Sequence, residues 1–307
     1  MIYLLSPRSG GPYKQLALVA RKLNEYQVPA THCFRFKDWV KLHFNRRDTI
    51  VSVIPFLFAA NKKNFIMNIR GNYRRERRLS NPLSYLYDYN LRLAHKIIVP
   101  SHYLKKELHL PQATVIPTST DVRPAAPLAA SIGIPVQLAT ITNFDFRPKA
   151  QGISKLINIV NQLETKHPLT VNIYGGGQYL THARRQFELH NYKKFPVIFH
   201  GKFTDAARVL SGNDIFIYWS TFDNMPNVLI EATAAGLPVV VNRYAAYAEI
   251  VGEDNLLANT ETEFADLLLK LIEDPQRRAA ISQKNRQRAS LFDINKNIRQ
   301  WIAAIDS

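Results

Sequence analysis

Apolar and polar positions along the chain alternate between two periods. Ile2–Leu5 is a short apolar run that predicts a strand, and Ser-Pro-Arg-Ser-Gly10-Gly11-Pro follows it as a loop. Tyr13–Asn24 then places Leu16, Val19, Ala20 and Leu23 on one helical face. Thr49–Pro55, Asn64–Ile69, Lys96–Pro100 and Ala113–Pro117 read as further strands, and Ser101 is placed to cap a helix over Tyr103–Leu108. Strands that alternate with helices imply a parallel sheet covered on both faces.

The pattern breaks at Arg123-Pro-Ala-Ala-Pro-Leu-Ala-Ala-Ser, which has no helical periodicity and reads as a linker. It then restarts. Val136–Thr142, Thr170–Tyr174, Val197–His200, Ile215–Trp219 and Pro238–Asn242 predict strands. Gly152–Leu163, Asp205–Ser211, Asn227–Ala235, Glu261–Glu273, Pro275–Arg288 and Ile294–Ile305 predict helices, with Gly236 closing the third of these. The expected organisation is an α/β chain of two doubly wound, Rossmann-like units. Residues 1–124 form the first, 125–135 the linker, 136–290 the second, and 291–307 a terminal helix carrying Trp301.

Composition narrows the partners. The chain has 307 residues, enough for two cores, and a net charge of +16. Residues 1–125 carry 21 Lys and Arg against 7 Asp and Glu, while residues 126–307 carry 19 against 17. The basic field therefore belongs to the first half, and it suits polyanions or an anionic membrane surface. Cys33 is the single cysteine, which excludes an intrachain disulfide and a cysteine metal cluster. The short apolar start has no basic leader and no run is long enough to span a bilayer, so a cytoplasmic protein is expected.

Three loops carry candidate chemistry, because ligands of such sheets bind at the carboxyl ends of strands. Gly10 and Gly11 permit close approach of a phosphate to a helix start, and serve a tight turn equally well. Gly175, Gly176 and Gly177 leave room for a sugar or planar group beside the backbone, or form a flexible turn. The most informative run is Thr221-Phe-Asp-Asn-Met-Pro-Asn-Val-Leu-Ile-Glu231. There Asp223 and Met225 precede a helix, Pro226 fits its first turn, and the amides of Asn227, Val228 and Leu229 are donors suited to a pyrophosphate. Glu231, one turn in, is a natural acceptor for ribose hydroxyls. Arg147 and Lys149 follow the first strand of the second unit and suit the charge of a leaving diphosphate.

Taken in order, these residues resemble the nucleotide-sugar half of the GT-B retaining glycosyltransferases of family 4. The run Asp223 to Glu231, followed by Ala-Thr-Ala-Ala-Gly236-Leu-Pro-Val-Val, carries most of the resemblance. Ile97-Ile-Val-Pro-Ser101, Val115-Ile-Pro117, Ile173-Tyr-Gly-Gly-Gly177 and Glu249-Ile-Val251 extend it over roughly residues 97–300. The resemblance implies a GT-B fold with two domains facing a cleft. It implies Glu231 on the ribose, Asp223 on the donor sugar, Lys149 and Arg147 on the diphosphate, and Gly10-Gly11 facing that diphosphate. It further implies that the last helix returns to the first domain.

The resemblance also implies hexosyl transfer from a UDP- or GDP-sugar to a glycan or lipid-linked acceptor. The expected setting is bacterial cell-surface polysaccharide or glycolipid synthesis. Configuration would be retained by front-face displacement, with no cofactor and, in the absence of an Asp-x-Asp sequence, no metal. The chain departs from the family at four places. Asp223 is one methylene shorter than the usual Glu, and Asn143 stands where a basic residue is usual. Thr118-Ser-Thr-Asp121 replaces Asn-Gly-Val-Asp, and Ile69-Arg70-Gly71 lies where a sugar-facing histidine is common, which makes Arg70 a candidate cleft residue.

Acceptor recognition is expected in the first domain. Trp39–Arg47 mixes aromatics with cations, and Asn72–Arg78 is a basic cluster followed by Tyr85, Tyr87 and Tyr89. These stretches suit an anionic membrane interface, solvated surface or, for the tyrosines, core. Nucleic acid is not the expected partner. Two other readings stand beside transfer: a sugar-nucleotide epimerase of the same fold, and a non-catalytic basic binder of nucleic acid or membrane.

Overall fold

The computed structural model describes residues 1–45, 47–57, 64–74, 84–124, 135–189, 194–252 and 256–306. All of the expected linker (125–135) but its last residue, and the end of the basic cluster (75–78), lie outside the described residues, as does Arg46. The chain forms two compact units. Unit 1 comprises Met1–Asp121 with Leu291–Ser307, and unit 2 comprises Val122–Ser290.

Unit 1 is built on a parallel six-stranded sheet of β1 (Ile2–Leu5), β2 (Ala30–Cys33), β3 (Thr49–Ser52), β4 (Phe65–Asn68), β5 (Lys96–Val99) and β6 (Thr114–Val115), in the order β2-β1-β3-β4-β5-β6. Alternate residues of each strand feed opposite faces. Ile2, Leu4, Val51, Ile66 and Ile98 pack with helix α1 (Gly10–Glu25). Leu5, Ile50, Phe65, Met67 and Val99 pack on the other face with α2 (Phe36–Phe44), α3 (Ser84–Leu93) and α4 (His102–Glu107). Ser101 caps α4 by accepting from the Leu104 amide at 3.1 Å.

Three differences from the sequence reading have physical causes. Gly10 and Gly11 belong to the first turn of α1 rather than to a loop; Gly10 takes φ +87°, a conformation glycine tolerates. Strand β2, Ala-Thr-His-Cys, was invisible because an edge strand needs no apolar run; only Cys33 is buried. Trp39–Phe44, read as a surface stretch, lies in a helix that buries Leu42 and His43, with Trp39 stacked on Phe56. The tyrosines divide. Tyr87 donates to the Val53 carbonyl at 2.9 Å and stacks on Tyr73, whereas Tyr85 and Tyr89 are exposed.

Unit 2 has a second parallel sheet of six strands. They are β7 (Val136–Ile141), β8 (Leu169–Tyr174), β9 (Val197–Gly201), β10 (Ile215–Tyr218), β11 (Val239–Asn242) and β12 (Leu257–Ala258), in the order β12-β11-β10-β7-β8-β9. Helices α5 (Arg147–Asn161), α6 (Leu180–Leu189), α7 (Ala206–Ser211), α8 (Asn227–Ala235), α9 (Tyr247–Val251), α10 (Glu261–Glu273) and α11 (Pro275–Arg288) cover it. Helix α5 starts five residues before the expected Gly152. Pro148 is tolerated in a first turn, and Gly152 is not a breaker but a contact: a Cβ there would lie 2.2 Å from the Trp219 carbonyl oxygen.

The basic helix α11 directs its cations to neighbouring helix ends. Arg278, 4% exposed, donates to the carbonyls of Leu271 and Ile272 at the end of α10. Arg288 donates to those of Glu249 and Ile250 at the end of α9. Both placements satisfy last-turn carbonyls and put a cation at the negative end of the helix dipole, which is stabilising. The terminal helix α12 (Ile294–Asp306) packs Ile294, Ile298 and Trp301 into the α1 face of unit 1.

Candidate functional site

The site in unit 2 grows from the central strand β10, buried along its length. Past its carboxyl end, Ser220 is locked to the next strand. Its amide donates to Asn242 Oδ1 at 2.9 Å, and Asn242 Nδ2 donates back to its carbonyl at 3.0 Å. Ser220 Oγ in turn accepts from the amides of Phe222 and Asp223 at 3.2 and 3.4 Å, folding the loop into a tight turn. The Asn224 carbonyl takes the Ala246 amide at 3.2 Å, tying the loop to the turn before α9.

This turn delivers Asp223 to a fixed place. Its Oδ1 lies 2.8 Å from Lys149 Nζ, with the two side chains 16% and 17% exposed. Its Oδ2 accepts from Tyr218 Oη at 2.5 Å and from Ser220 Oγ at 3.4 Å. Burial, then the Asp223 charge, pushes the phenols of Tyr218 and Tyr247 well above their ordinary value. Tyr247 Oη donates to the Ser220 carbonyl at 3.4 Å. Protonated phenols are thus built into the support of the carboxylate.

The ion pair joins the starts of two helices. Helix α5 begins at Arg147, is not capped by a side chain, and has no acid in its first turn. Two cations there, exposed Arg147 and half-buried Lys149, oppose the helix dipole. Helix α8 begins after Pro226, which is its N-cap rather than a first-turn residue, and it too lacks a side-chain cap and a first-turn acid. The Leu229 amide, expected as a ligand donor, already donates to the Pro226 carbonyl at 3.2 Å. Val228, at the second helical position beside Asn227, has no preceding turn of helix to accept its amide. Glu231 lies half-buried in the second turn, and Met225 is half-buried ahead of the helix. The inner face of α8 buries Leu229, Ile230 and Ala232, and the helix ends at Gly236 with φ +83°.

The three glycines have a different setting. A Cβ at Gly175 would lie 1.8 Å from the Thr142 carbonyl oxygen, and one at Gly177 2.3 Å from the Asp145 amide nitrogen. Gly176 accepts from the Phe144 amide at 3.0 Å and packs against the Lys202 side chain. Their close approach is to the β7–α5 loop, whose position they fix. Asn143, where the resemblance places a base, accepts from the Asp145 amide at 2.9 Å within the same loop. Gly10, Gly11 and Arg70 lie in unit 1. Arg70 Nη2 donates to Thr118 Oγ1, and burial pushes its pKa down to about 10, so it stays charged at neutral pH.

Sequence reasoning missed Tyr218, Asn242 and Tyr247, whose roles exist only through tertiary contacts. It also passed over Phe146 and Phe222, whose rings lie 5.4 Å apart and are 44% and 37% exposed. They flank the ion pair, each one residue from a group already singled out. Among the described residues no three His, Cys, Asp or Glu side chains converge as a metal would require.

The fold has solved counterparts. Alr3699/HepE from Anabaena, solved in complex with UDP and glucose, superposes with a TM-score of 0.74 at 17% identity over 99% of each chain. TarM from S. aureus, in complex with Fondaparinux, alpha-GlcNAc-glycerol and UDP, gives 0.70 at 15% identity, covering 85% of this chain and 55% of its own. The fold is GT-B. Within this GT-B chain, residues 137–274 match the family described as Glycosyl transferases group 1. A viral relative named "Putative glycosyltransferase ORF31", from an isolate of Victoria, Australia, is 24% identical over 143 residues. That match spans 47% of this chain and 43% of the relative, less than half of either. The family match contains the β7–α5 loop, the three glycines, β10 and α8, and therefore the whole Lys149–Asp223 site.

Proposed function

We propose that the chain is a retaining glycosyltransferase of family 4 that moves a hexosyl group from a nucleotide sugar to a glycan or lipid-linked acceptor. The observation that carries the reading is the Lys149–Asp223 pair at two uncapped helix starts. Asp223 neutralises Lys149, but the two helix starts hold no first-turn acid and Arg147 adds a further cation, a potential that suits a diphosphate. UDP is the favoured nucleotide, because Alr3699/HepE and TarM were solved with it.

In this reading Lys149 gives one N–H to Asp223 and turns its others to the leaving diphosphate, with Arg147 and the Val228 amide. Glu231 takes the ribose hydroxyls, and the Phe146–Phe222 rings offer an apolar wall. The bond from the anomeric carbon to the diphosphate oxygen breaks, and the acceptor oxygen bonds that carbon on the same face. The acceptor's proton passes to the departing phosphate oxygen. The residues act by orientation and by charge stabilisation of the leaving group. No metal or cofactor is assigned.

The test is a thermal-shift screen against UDP-, GDP- and ADP-sugars, followed by product analysis with glycan and lipid-linked acceptors. Stabilisation by one nucleotide sugar and acceptor-dependent release of its nucleotide is the expected result. Conversion of the donor sugar without an acceptor would point to an epimerase instead. No shift with any of the three would favour the non-catalytic binder.

A second observation bears on where the acceptor is met. Along α2, Phe36, Val40 and Phe44 recur every four residues and are 68%, 37% and 77% exposed, with exposed Lys37 and Lys41 between them. We propose that this stripe lies in the interface of an anionic membrane, rings toward the acyl chains and lysines toward the headgroups. Among the described residues no helix is long and apolar enough to cross a membrane.

A further inference from the structure

Unit 1 holds a buried polar cluster that its own secondary structure leaves unsatisfied. It lies at the carboxyl end of β4, on the face of Ile66 that α1 and α12 cover. Asn68, two residues past Ile66, is fully buried, and neither its Nδ2 nor its Oδ1 has a partner. Arg70, two residues further, reaches Thr118 with Nη2 while its buried Nη1 has no acceptor. The residue after Thr118, Ser119, donates its amide to Gln15 Oε1 at 3.1 Å. Gln15 comes from the second turn of α1 and is 1% exposed, and its Nε2 again has no acceptor. From α12, Asn297 Nδ2 donates to Ser119 Oγ at 3.0 Å and holds the Thr118–Ser119 turn in place.

The chemistry of the leftover groups is one-sided. Three are N–H donors, on Arg70, Gln15 and Asn68, against one acceptor, Asn68 Oδ1. One donor is a guanidinium, and no carboxylate pairs with it among the described residues. A buried donor left unpaired costs free energy, and a buried charge costs more. A structural role would give the buried Nη1 an acceptor, as the carbonyls of Leu271 and Ile272 do for Arg278; Arg70 Nη1 has none. An apolar ligand would leave the donors unmet and a cation would be repelled. A carboxylate or phosphate supplies acceptors of the kind these donors lack, and the guanidinium fork matches its oxygens. Helix α1 adds to the positive potential, since its first turn holds no acid and Ser9 makes no cap bond.

We propose that Arg70, Gln15 and Asn68 form an oxyanion site that takes a carboxylate or phosphate group of the acceptor. That the anion belongs to the acceptor rests on the transfer reading above; that unit 1 binds one does not.

The experiment is calorimetric titration of the full chain at constant ionic strength with inorganic phosphate, glucuronate, glucose and chloride. It is run in an Arg147→Ala, Lys149→Ala background, which strips both cations from the competing phosphate site of unit 2, and transfer is measured separately on the parent chain. Saturable binding of phosphate or glucuronate, and none of glucose or chloride, is expected. The two arms separate a phosphorylated from a uronic acceptor. Adding Arg70→Gln should weaken the binding about tenfold or more, the size of a lost charge-assisted pair. Arg70→Lys should recover part of it, and Gln15→Met, which keeps the charge, should weaken it less; these two carry the test if Arg70→Gln does not fold. Non-saturable uptake, equal binding of chloride, or affinity unchanged by all three substitutions would mean an adventitious ion only and overturn the site. Transfer without anion binding would sink this site alone, and anion binding without transfer would sink the transfer reading alone.

Discussion

Lys149 Nζ sits 2.8 Å from Asp223 Oδ1, and the pair bridges the first turn of α5 to the loop that leads into α8. The second oxygen of Asp223 is held by Tyr218, so the carboxylate is fixed on both sides and orients the ammonium in turn. If Lys149 stabilises a leaving diphosphate, its removal acts on the transition state more than on donor binding. Lys149→Ala should lower kcat by about 100- to 1,000-fold, the usual loss for one preorganised donor. Asp223→Asn keeps the shape and releases the lysine, so it should raise KM as well. Steady-state kinetics with the donor found in the screen measure both. Wild-type rates in the two variants would remove the site.

The packing of α5 on β10 sets the distance between those two residues, and Gly152 permits it. Its α-hydrogen faces the Trp219 carbonyl, where a Cβ would sit 2.2 Å from oxygen. Because the obstacle is backbone, it does not rotate away. Gly152→Ala should destabilise unit 2 by roughly 2–3 kcal/mol, in the range of overpacked cores. Gly212→Ala is the control: a Cβ there would meet nothing nearer than 3.9 Å and φ is ordinary, so its effect should stay within about 0.5 kcal/mol. Urea melts of the two variants, compared at equal m, decide it.

The stripe on α2 makes a separate claim. Replacing Phe36 and Phe44 together by Ser removes two largely exposed rings, of which Phe36 stacks on Trp39, so folding of the variant is checked by its melt. Binding to vesicles that contain anionic lipid should fall about tenfold or more, as expected for two inserted aromatic side chains. It should also weaken with salt, because Lys37 and Lys41 act through a screened potential. Equal flotation of variant and parent with such vesicles would leave the stripe as ordinary exposed surface.

Much of this was legible in the residue pattern, and the remainder has identifiable causes. The two sheets follow from apolar runs such as Ile215–Tyr218 and Val239–Asn242, which read as buried strands in any context. The α8 start was visible in Pro226, and its end in Gly236. The beginning of α5 was not, because Pro148 and Gly152 are breakers by propensity, and only the fold shows one tolerated at a first turn and the other required by contact. The support of Asp223 was hidden for another reason. Tyr218 looks like an apolar strand residue and Asn242 like a strand end; their side chains meet the loop across the sheet, which spacing along the chain does not encode. The same applies to Gln15 and Arg70, 55 positions apart in the sequence and joined through Thr118 and Ser119.

The buried phenols around Asp223 give the fold an alkaline limit with a definite sign. Tyr218 and Tyr247 hold their protons well above the ordinary tyrosine value of about 10, chiefly from burial and then from the Asp223 charge. In the unfolded chain both ionise near 10. Their contribution is therefore intact below that pH, and above it the unfolded state sheds protons that the native state retains. Stability should decline as pH rises past 10, by up to about 1.4 kcal/mol per pH unit for each phenol. Tyr73, pushed up to about 12 by burial and by Asp88, adds to the decline over the lower part of that range. Tyr218→Phe removes one contributor, so its stability, though lower at neutral pH for want of the bond to Asp223, should fall less steeply. Absorbance titration at alkaline pH supplies the second readout: of the chain's 14 tyrosines, these should ionise only as the protein unfolds. Parallel slopes for parent and variant, with every tyrosine titrating normally in the native state, would show that the phenols do not carry the Asp223 network.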